Sequence, residues 1–245
     1  MQVLLGQVKL ETKLLFRDRG ALFWTLAFPL FMIVLFGLIY QDIDWDGQAP
    51  INHFLPGIIV MAVMTTCLIN TATGFVEERE KGIYRRLSLA PLKRQTLIGG
   101  QIVNRYLVVL VQTVILIAIG IIFFGVTIGG NYLLFWVALT LGTITFLSLG
   151  FAIAGFIKSA KGASPFTMAI FFGLLFLGGI FFPLDVMPEF LHPFSRALPS
   201  TNLNDALRMV AIDGEGIGAV WQELAILGGW LVACSALAVK FFKWE

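Results

Sequence analysis

The sequence predicts an all-α integral membrane protein with six transmembrane helices, an N-terminal interfacial helix and a short outer re-entrant helical pair between spans five and six. Hydrophobic residues make up 58% of the 245 residues and charged residues 13%, whereas soluble domains carry about 25% charged residues. The mean hydropathy is +0.88. The apolar residues also fall in blocks of about 20, the length that crosses a bilayer.

Six apolar blocks are bounded by charged residues, Pro or Gly, and we call them predicted spans one to six. They are Ala21–Tyr40, Phe54–Val76, Ile102–Gly125, Tyr132–Ile157, Ser164–Phe182 and Val220–Phe241. Because they take up most of the chain, residues 1–245 are expected to form a single transmembrane domain.

Lys and Arg are concentrated in alternate connections between the spans. Basic residues are enriched in cytoplasmic loops. With both termini inside, fifteen of the seventeen basic residues are cytoplasmic, and only Arg196 and Arg208 lie outside. The reverse orientation leaves two inside. The sequence therefore predicts a multi-pass protein of the cell membrane with both termini in the cytoplasm.

The first twenty residues are expected to form a helix along the membrane surface. Lys9, Lys13 and Arg17 recur at every fourth position and form one basic stripe on a helix. Such a helix lies in the interface with its basic side chains towards anionic headgroups. A docking role for residues 1–20 is compatible with this interpretation.

The segment 77–94 is a charged island, because nine of its eighteen residues are charged. Each charge at mid-bilayer costs about 2.5–3.5 kcal/mol on insertion scales, so the segment must lie in water or among headgroups. Glu77 and Lys81 have the favourable i, i+4 order for a helical pair, and Pro91 favours a turn just before it. The segment is either a solvated loop whose charges set the topology or a cytoplasmic contact for another protein. The three Glu favour the second, since acids contribute little to orientation.

The segment 183–218 contains four prolines and short amphipathic pieces. Asn202 followed by Asp205 resembles a helix N-terminus. An apolar face at helical spacing follows, and it consists of Leu203, Ala206, Leu207 and Val210. Irregular backbone at membrane depth must be buried in protein or line a cavity. We therefore expect this segment to form the outer helical pair and to act as a gate.

Polar residues inside the spans are the candidates for a transport path. Thr66, Asn70 and Thr73 fall on one stripe of span two. The stripe is either a path wall or a source of interhelical hydrogen bonds of about 0.6 kcal/mol each, and the spacing favours the second. In span five, Phe171, Phe172 and Phe176 either form a hydrophobic constriction or face lipid.

No catalytic, nucleotide-binding or metal-binding motif stands out in the sequence. The stretch GFIKSAKG (155–162) lacks the second Gly of a P-loop, and DIDWDG (42–47) has His53 where a calcium loop needs an acid. We therefore predict that the chain is not an enzyme and binds no cofactor or metal. Nothing predicts a nucleic-acid partner.

Two stretches in this order and topology resemble the membrane (permease) subunit of type-2 ATP-binding-cassette exporters. The first, EREKGIYRRLSLAPLKRQTLIGGQI (78–102), is similar to the family's Glu-Arg-x-x-Gly…Leu…Pro-Leu stretch. The second, GGIFFPLDVMPEFLHPFSRALPSTNLNDALR (178–208), is similar to its Phe-Pro…Pro…Leu-Pro…Arg segment. The resemblance covers nearly the whole chain.

The resemblance implies a half-transporter that works with a separate ATPase subunit and with a second permease copy, as a homodimer or heterodimer in the lipid bilayer. ATP and magnesium would bind to the ATPase, and the exported cargo would be amphipathic, such as a drug, lipid or glycolipid. Residues 77–98 would form the cytoplasmic coupling loop. Its ATPase-coupling residues would be Glu78, Arg79, Glu80, Gly82, Arg86 and Pro91. The path-lining candidates are Thr66, Asn70, Thr73, Phe172 and Phe176. The outer gate would contain Pro183, Pro199 and Arg208.

Two other classes of function stay open. An ion- or proton-coupled carrier or channel would need no ATPase, but it would need an essential intramembrane charge, and no Asp, Glu or Lys lies near the middle of a span. A membrane scaffold or sensor that transports nothing could use segment 77–94 to bind a different partner. A gene for an ATPase beside this one would count against both.

Overall fold

Every regular element that the structure describes is a helix. The computed structural model describes residues 19–40, 51–84, 94–127, 129–180 and 187–241, the isolated positions 6, 13 and 17, and only the backbone of residues 21 and 94–97. Within these ranges no strand occurs, in agreement with the predicted all-α class. Most of the predicted interfacial helix lies outside the described residues, although Lys13 and Arg17 are helical and exposed.

Eight helices account for the long elements of the described ranges. They are α1 (Arg19–Leu22, continued by Phe23–Ala27 and Phe28–Ile39), α2 (Ile51–Met64, continued by Thr65–Ile69 and Asn70–Glu80), α3 (Arg94–Phe124), α4 (Tyr132–Phe156), α5 (Ala160–Leu177), α6 (His192–Ala197), α7 (Pro199–Ala211) and α8 (Ile217–Phe241). The middle pieces of α1 and α2 are π-helical.

Five of these helices, α2, α3, α4, α5 and α8, are long and apolar enough to cross a membrane. In α1 the apolar stretch Phe23–Ile39 is shorter. These six helices coincide with the six predicted spans, while the crossing by α1 stays a prediction.

The observed helices differ from the predicted spans mainly at their ends. Span two was expected to stop at Val76, but α2 continues to Glu80, because helical hydrogen bonding does not end where the apolar residues end. Span five was expected to cover Ser164–Phe182, but α5 runs from Ala160 to Leu177. It ends early because Gly179 has φ 66°, a conformation that suits Gly and stops a helix.

The helix α2 lies at the centre of the bundle. In its most apolar stretch 94% of the residues are buried within the protein, against 11% for α8. The outer surfaces of α3 and α8 remain apolar, with Ile122 73% and Val239 83% exposed. Soluble monomers rarely expose large apolar patches, so these surfaces fit lipid or another membrane chain.

Small residues of α4 allow its neighbours to approach closely. A Cβ on Gly150 would lie 2.6 Å from the Cys67 carbonyl oxygen in α2, and a Cβ on Gly142 would lie 2.5 Å from Leu203 Cδ1 in α7. Such short distances are not tolerated by real side chains, and small residues at helix contacts are typical of membrane bundles. The helix α4 therefore packs closely against both α2, at the centre of the bundle, and α7.

Candidate functional site

The last four residues of α2, Glu77 to Glu80, are charged, and Lys81 follows them. We call residues 77–84 the charged end. The Lys81 amide donates to the Glu77 carbonyl at 2.9 Å, and Gly82 then adopts φ 67°. This left-handed conformation closes many helices and favours Gly. The left-handed backbone therefore explains why Gly occupies position 82, which is one of the predicted coupling residues.

Two residues of the charged end point away from the bundle. The Lys81 ammonium donates to the Glu77 carboxylate at 2.5 Å, and the side chains are 62% and 56% exposed. The hydrogen bond to Glu77 raises the pKa of Lys81. The i, i+4 pair expected from the sequence is confirmed.

Glu78 faces the opposite way and connects α2 to α3. Its Oε2 accepts hydrogen bonds from the Tyr84 hydroxyl and, at 2.9 Å, from Gln101 Nε2. The Tyr84 ring stacks on Phe75 with 4.6 Å between centroids. Burial and then the Glu78 carboxylate raise the pKa of Tyr84, so this phenol remains a hydrogen-bond donor at physiological pH.

Arg79 reaches the C-terminus of α4. Its Nη1 donates to the Ala154 carbonyl at 3.3 Å, and its Nη2 donates to the Ile157 carbonyl. The last carbonyls of a helix have no partner within the helix, and a cation there also complements the helix dipole. Arg79 thus caps α4 from another helix.

Glu80 reaches the N-terminus of α5. Its Oε2 accepts a hydrogen bond from the Ala160 amide at 2.7 Å, and Ala160 is the first residue of that helix. The preceding Ser159 makes no side-chain cap hydrogen bond. The acidic cap that helix N-termini favour is therefore supplied by α2.

The predicted coupling residues thus fall into two groups. Glu78, Arg79 and Glu80 are bonded to α3, α4 and α5 of the same chain. Arg86 and Pro91 lie outside the described residues. Contact of any of them with an ATPase stays a prediction.

A second polar cluster, which we call the polar node, joins α1, α2 and α3. Thr66 Oγ1 donates to Gln112 Oε1 at 2.9 Å, and Gln112 Nε2 donates to the Thr25 carbonyl. Asn70 Nδ2 donates to Thr25 Oγ1 at 2.8 Å, and Arg105 Nη2 donates to the Asn70 carbonyl at 2.9 Å. The node consists of these five residues.

The polar node lies where α1 and α2 are π-helical. Thr25 and Thr66 belong to the two π-helical pieces, a distortion that is common at functional sites. Thr66 and Asn70 serve as interhelical hydrogen-bond groups here, the second of the two roles considered from the sequence. The sequence reasoning missed Thr25 and Gln112, although an amide in the apolar block of span three was a usable signal.

The other path-lining candidates lie on more open surfaces. Thr73 is partly buried and donates to the Ile69 carbonyl of its own helix at 2.8 Å. Phe172 and Phe176 are 43% and 50% exposed and stack with 6.1 Å between centroids. Phe171, which the sequence analysis grouped with them, is instead buried inside the bundle, so it faces neither lipid nor an open path. The two exposed rings therefore form one outward-facing apolar surface of α5, available to lipid, to cargo or to another chain.

The helical pair that the sequence predicts on the outer side corresponds to α6 and α7, which are joined at Leu198. The expected apolar face of α7 is confirmed, since its four members are fully buried: Leu203, Ala206, Leu207 and Val210. Pro199 starts α7, while Pro183 lies outside the described residues. Whether the pair enters the membrane stays a prediction.

The expected start of α7 at Asn202 is wrong. The helix begins three residues earlier, at Pro199, because a proline at the first helical position needs no hydrogen-bond partner for its nitrogen. Asn202 Nδ2 instead donates to the Arg196 and Leu198 carbonyls at 2.8 and 2.7 Å. It ties α7 back to the end of α6.

The polar groups of α7 include a loose ion pair. Arg208 Nη2 lies 3.7 Å from Asp205 Oδ1, one helical turn away, with the side chains 37% and 29% exposed. Burial raises the pKa of Asp205, which the Arg208 charge partly offsets and the Glu223 carboxylate of α8 reinforces.

Comparison with known proteins identifies the family. The family model described as ABC-2 type transporter matches residues 6–212. The chain belongs to this family. It is therefore a membrane component of the ABC transporter class, for which an ABC ATPase and a dimeric arrangement are general features.

Three relatives illustrate the range of chain lengths. "ABC transporter G family member 20" of Dictyostelium discoideum is 25% identical over 77% of this chain and 26% of its own length. "Putative transport permease YvfS" of Bacillus subtilis (strain 168) is 22% identical over 93% of this chain and 91% of its own. "Probable multidrug ABC transporter permease YbhR" of Escherichia coli (strain K12) is 22% identical over 69% of this chain and 46% of its own.

Proposed function

We propose that the chain is the permease subunit of an ATP-driven exporter that moves an amphipathic cargo out of the cytoplasm, with ATP and magnesium bound on a separate ATPase chain. The observation that carries the proposal is the charged end. In a chain of this family, it is a helix terminus whose side chains bond to three neighbouring helices, so a force applied there would reach most of the bundle.

In the proposed assembly, two permease copies, identical or merely similar, enclose a path in the cell membrane. Both termini and the segment 77–94 face the cytoplasm, as the distribution of Lys and Arg favours. Dimerisation of two ATPase subunits below would push on this segment and switch the path from inward- to outward-facing. Arg86 and Pro91 belong to the proposed docking part of the segment.

The proposed path and gate use different chemical surfaces. Phe172 and Phe176 offer an apolar wall, and Thr73 is a partly exposed polar residue. The outer pair with Pro199 and Arg208 would close the path above. An apolar wall with few polar groups suits a drug, lipid or glycolipid, and one relative is named a multidrug permease.

The test is capture of the ATPase encoded nearest to this chain's gene. Wild-type permease and Arg86→Glu would be reconstituted in nanodiscs and titrated with the ATPase, and both binding and stimulated ATP hydrolysis would be followed. We expect saturable binding and stimulation for the wild type. We expect the reversed charge to weaken both by about tenfold or more, because like-charge juxtaposition at an interface costs several kcal/mol.

A lack of ATPase binding by the wild type would contradict the proposal. One residue would then favour the ion- or proton-coupled alternative. Glu223 lies in α8, and its Oε2 is buried without a hydrogen-bond partner in the described structure. An ionisable group in a span is a functional candidate, so a carrier of this kind should lose proton-driven uptake in Glu223→Gln.

A further inference from the structure

Adjacent residues of the charged end hold both sides of one turn. Arg79 donates to the Ala154 and Ile157 carbonyls, where α4 ends, and Glu80 accepts from the Ala160 amide, where α5 begins. The turn between α4 and α5 therefore has its two helix termini bonded to neighbouring side chains of α2.

The signs of the two charges match the two helix termini. A helix C-terminus carries partial negative charge and an N-terminus partial positive charge. Arg79 lies at the first and Glu80 at the second, so exchanging the two would place each charge at the wrong terminus. The turn itself supplies no side-chain cap to α5, since Ser159 makes none.

The backbones of α2 and α4 are also in close contact nearer the middle of the bundle. A Cβ on Gly150 would lie 2.6 Å from the Cys67 carbonyl oxygen and 2.9 Å from Thr71 Cβ. Two helices that touch this closely, and that are also joined at one terminus, cannot easily slide past each other. A displacement of the charged end must then carry the α4–α5 turn with it or break the caps.

We infer that Arg79 and Glu80 are positioning residues that transmit movement of segment 77–94 to α5 through the α4–α5 turn, and that they do not contact the ATPase. The inference rests on the proposed function, because an ATPase must drive the movement. It gives the two residues a different role from the docking residues Arg86 and Pro91. It also connects the segment to Phe172 and Phe176, which lie on α5.

The test separates ATPase docking from transmission. A fluorophore sensitive to its environment would be attached at Lys161→Cys, which is exposed in the first turn of α5, in a background of Cys67→Ala and Cys234→Ala. Two quantities would be measured in nanodiscs: the ATPase concentration for half-maximal binding, and the change in emission when ATP is added. The variants are Arg79→Ala, Arg79→Lys and Glu80→Gln.

We expect Arg79→Ala and Glu80→Gln to lose most of the emission change while binding the ATPase within about twofold of the wild type, a difference of less than 1 kcal/mol. Arg79→Lys should restore part of the change, because an ammonium can serve one carbonyl but lacks the planar fork of a guanidinium. The control is Glu215→Gln, an exposed acid of the α7–α8 connection, far from segment 77–94, which should keep both quantities.

Two results would overturn the inference. One is a full emission change in both Arg79→Ala and Glu80→Gln. The other is a loss of ATPase affinity of about tenfold or more in these variants, which would make the residues docking contacts. If Arg79→Ala does not fold, Arg79→Lys and Glu80→Gln decide. If the wild type does not bind the ATPase, the proposed function itself fails, which the binding curve shows separately.

Discussion

Different kinds of contact stabilise the two ends of the helix bundle. At the charged end, Arg79 and Glu80 reach main-chain groups of neighbouring helices. At the end formed by α6 and α7, α7 buries an apolar face that includes Leu203. Its hydrogen bonds there, such as the one from Ser200 to the Leu174 carbonyl, involve no charged group, and its Asp205–Arg208 ion pair is loose. Directional contacts can be broken and remade during a conformational change, whereas a packed apolar face moves as a unit. The difference indicates that the charged end is the adjustable one.

The largest expected effect is on packing at the outer end. Leu203→Ala should lower the free energy of unfolding in detergent by about 2–5 kcal/mol, since the side chain is fully buried and leaves a cavity. The matched control is Leu237→Ala in α8, where the side chain is 41% exposed. Equal losses in the two variants would contradict the packing account of this end.

The next effect is at the charged end. Arg79→Ala should lower the free energy of unfolding by about 1.5–3 kcal/mol, because two carbonyls lose their donor. This is the range for hydrogen bonds to charged groups. Thermal unfolding in detergent would measure it beside Arg196→Ala, an exposed arginine of α6. If Arg79→Ala lost more stability than Leu203→Ala, the charged end would be the more firmly held of the two ends, contrary to our expectation.

A smaller effect is expected at the polar node. Thr66→Val should lower the free energy of unfolding by about 0.6 kcal/mol, the average for an interhelical hydrogen bond in a membrane bundle. Thr73→Val is the control, since its hydroxyl bonds within its own helix. If only Thr73→Val changed stability, the node would not hold α2 to α3.

The smallest effect concerns pH at the outer end. The raised pKa of Asp205 means that folding favours its neutral form. That stabilisation is fully present below the unfolded pKa of about 3.9 and is lost as pH rises through the folded-state value. Asp205→Asn should therefore gain thermal stability over the wild type between acidic and neutral pH.

Measuring the unfolding temperature at several pH values would check the Asp205 prediction. The Glu223 carboxylate and the Arg208 guanidinium act on Asp205 in opposite directions. The control is Asp213→Asn, which removes an exposed acid just beyond α7. It shows how much of the change in unfolding temperature comes from the loss of one negative charge alone. A stability difference that shrinks as pH rises would refute the assignment.

The sequence was sufficient for features that depend on local pattern. Runs of apolar residues located the helices, and helical spacing located the buried face of α7 and the Glu77–Lys81 pair. The start of α7 was missed because two signals competed. Pro199 at the first helical position prevailed over the cap-like Asn202.

The contacts of the charged end could not be read from the sequence. Arg79 meets Ala154 and Ile157, which are 75 and 78 positions away, and no periodicity links residues so far apart. The polar node has the same origin, since Gln112 meets Thr25 across 87 positions. Both clusters depend on which helices are neighbours, and that follows from packing.

The proposed orientation places the charged end in the cytoplasm and the pair α6–α7 on the other side of the membrane. The most direct test uses single cysteines at Lys81 and Glu215, both exposed, with the buried native Cys67 and Cys234 replaced by alanine. Intact cells would be treated with a thiol reagent that does not cross membranes. We expect Glu215→Cys to react at once and Lys81→Cys to react only after permeabilisation. Reaction of Lys81→Cys in intact cells would put the charged end on the wrong side of the membrane for a cytoplasmic ATPase and would refute the proposed orientation.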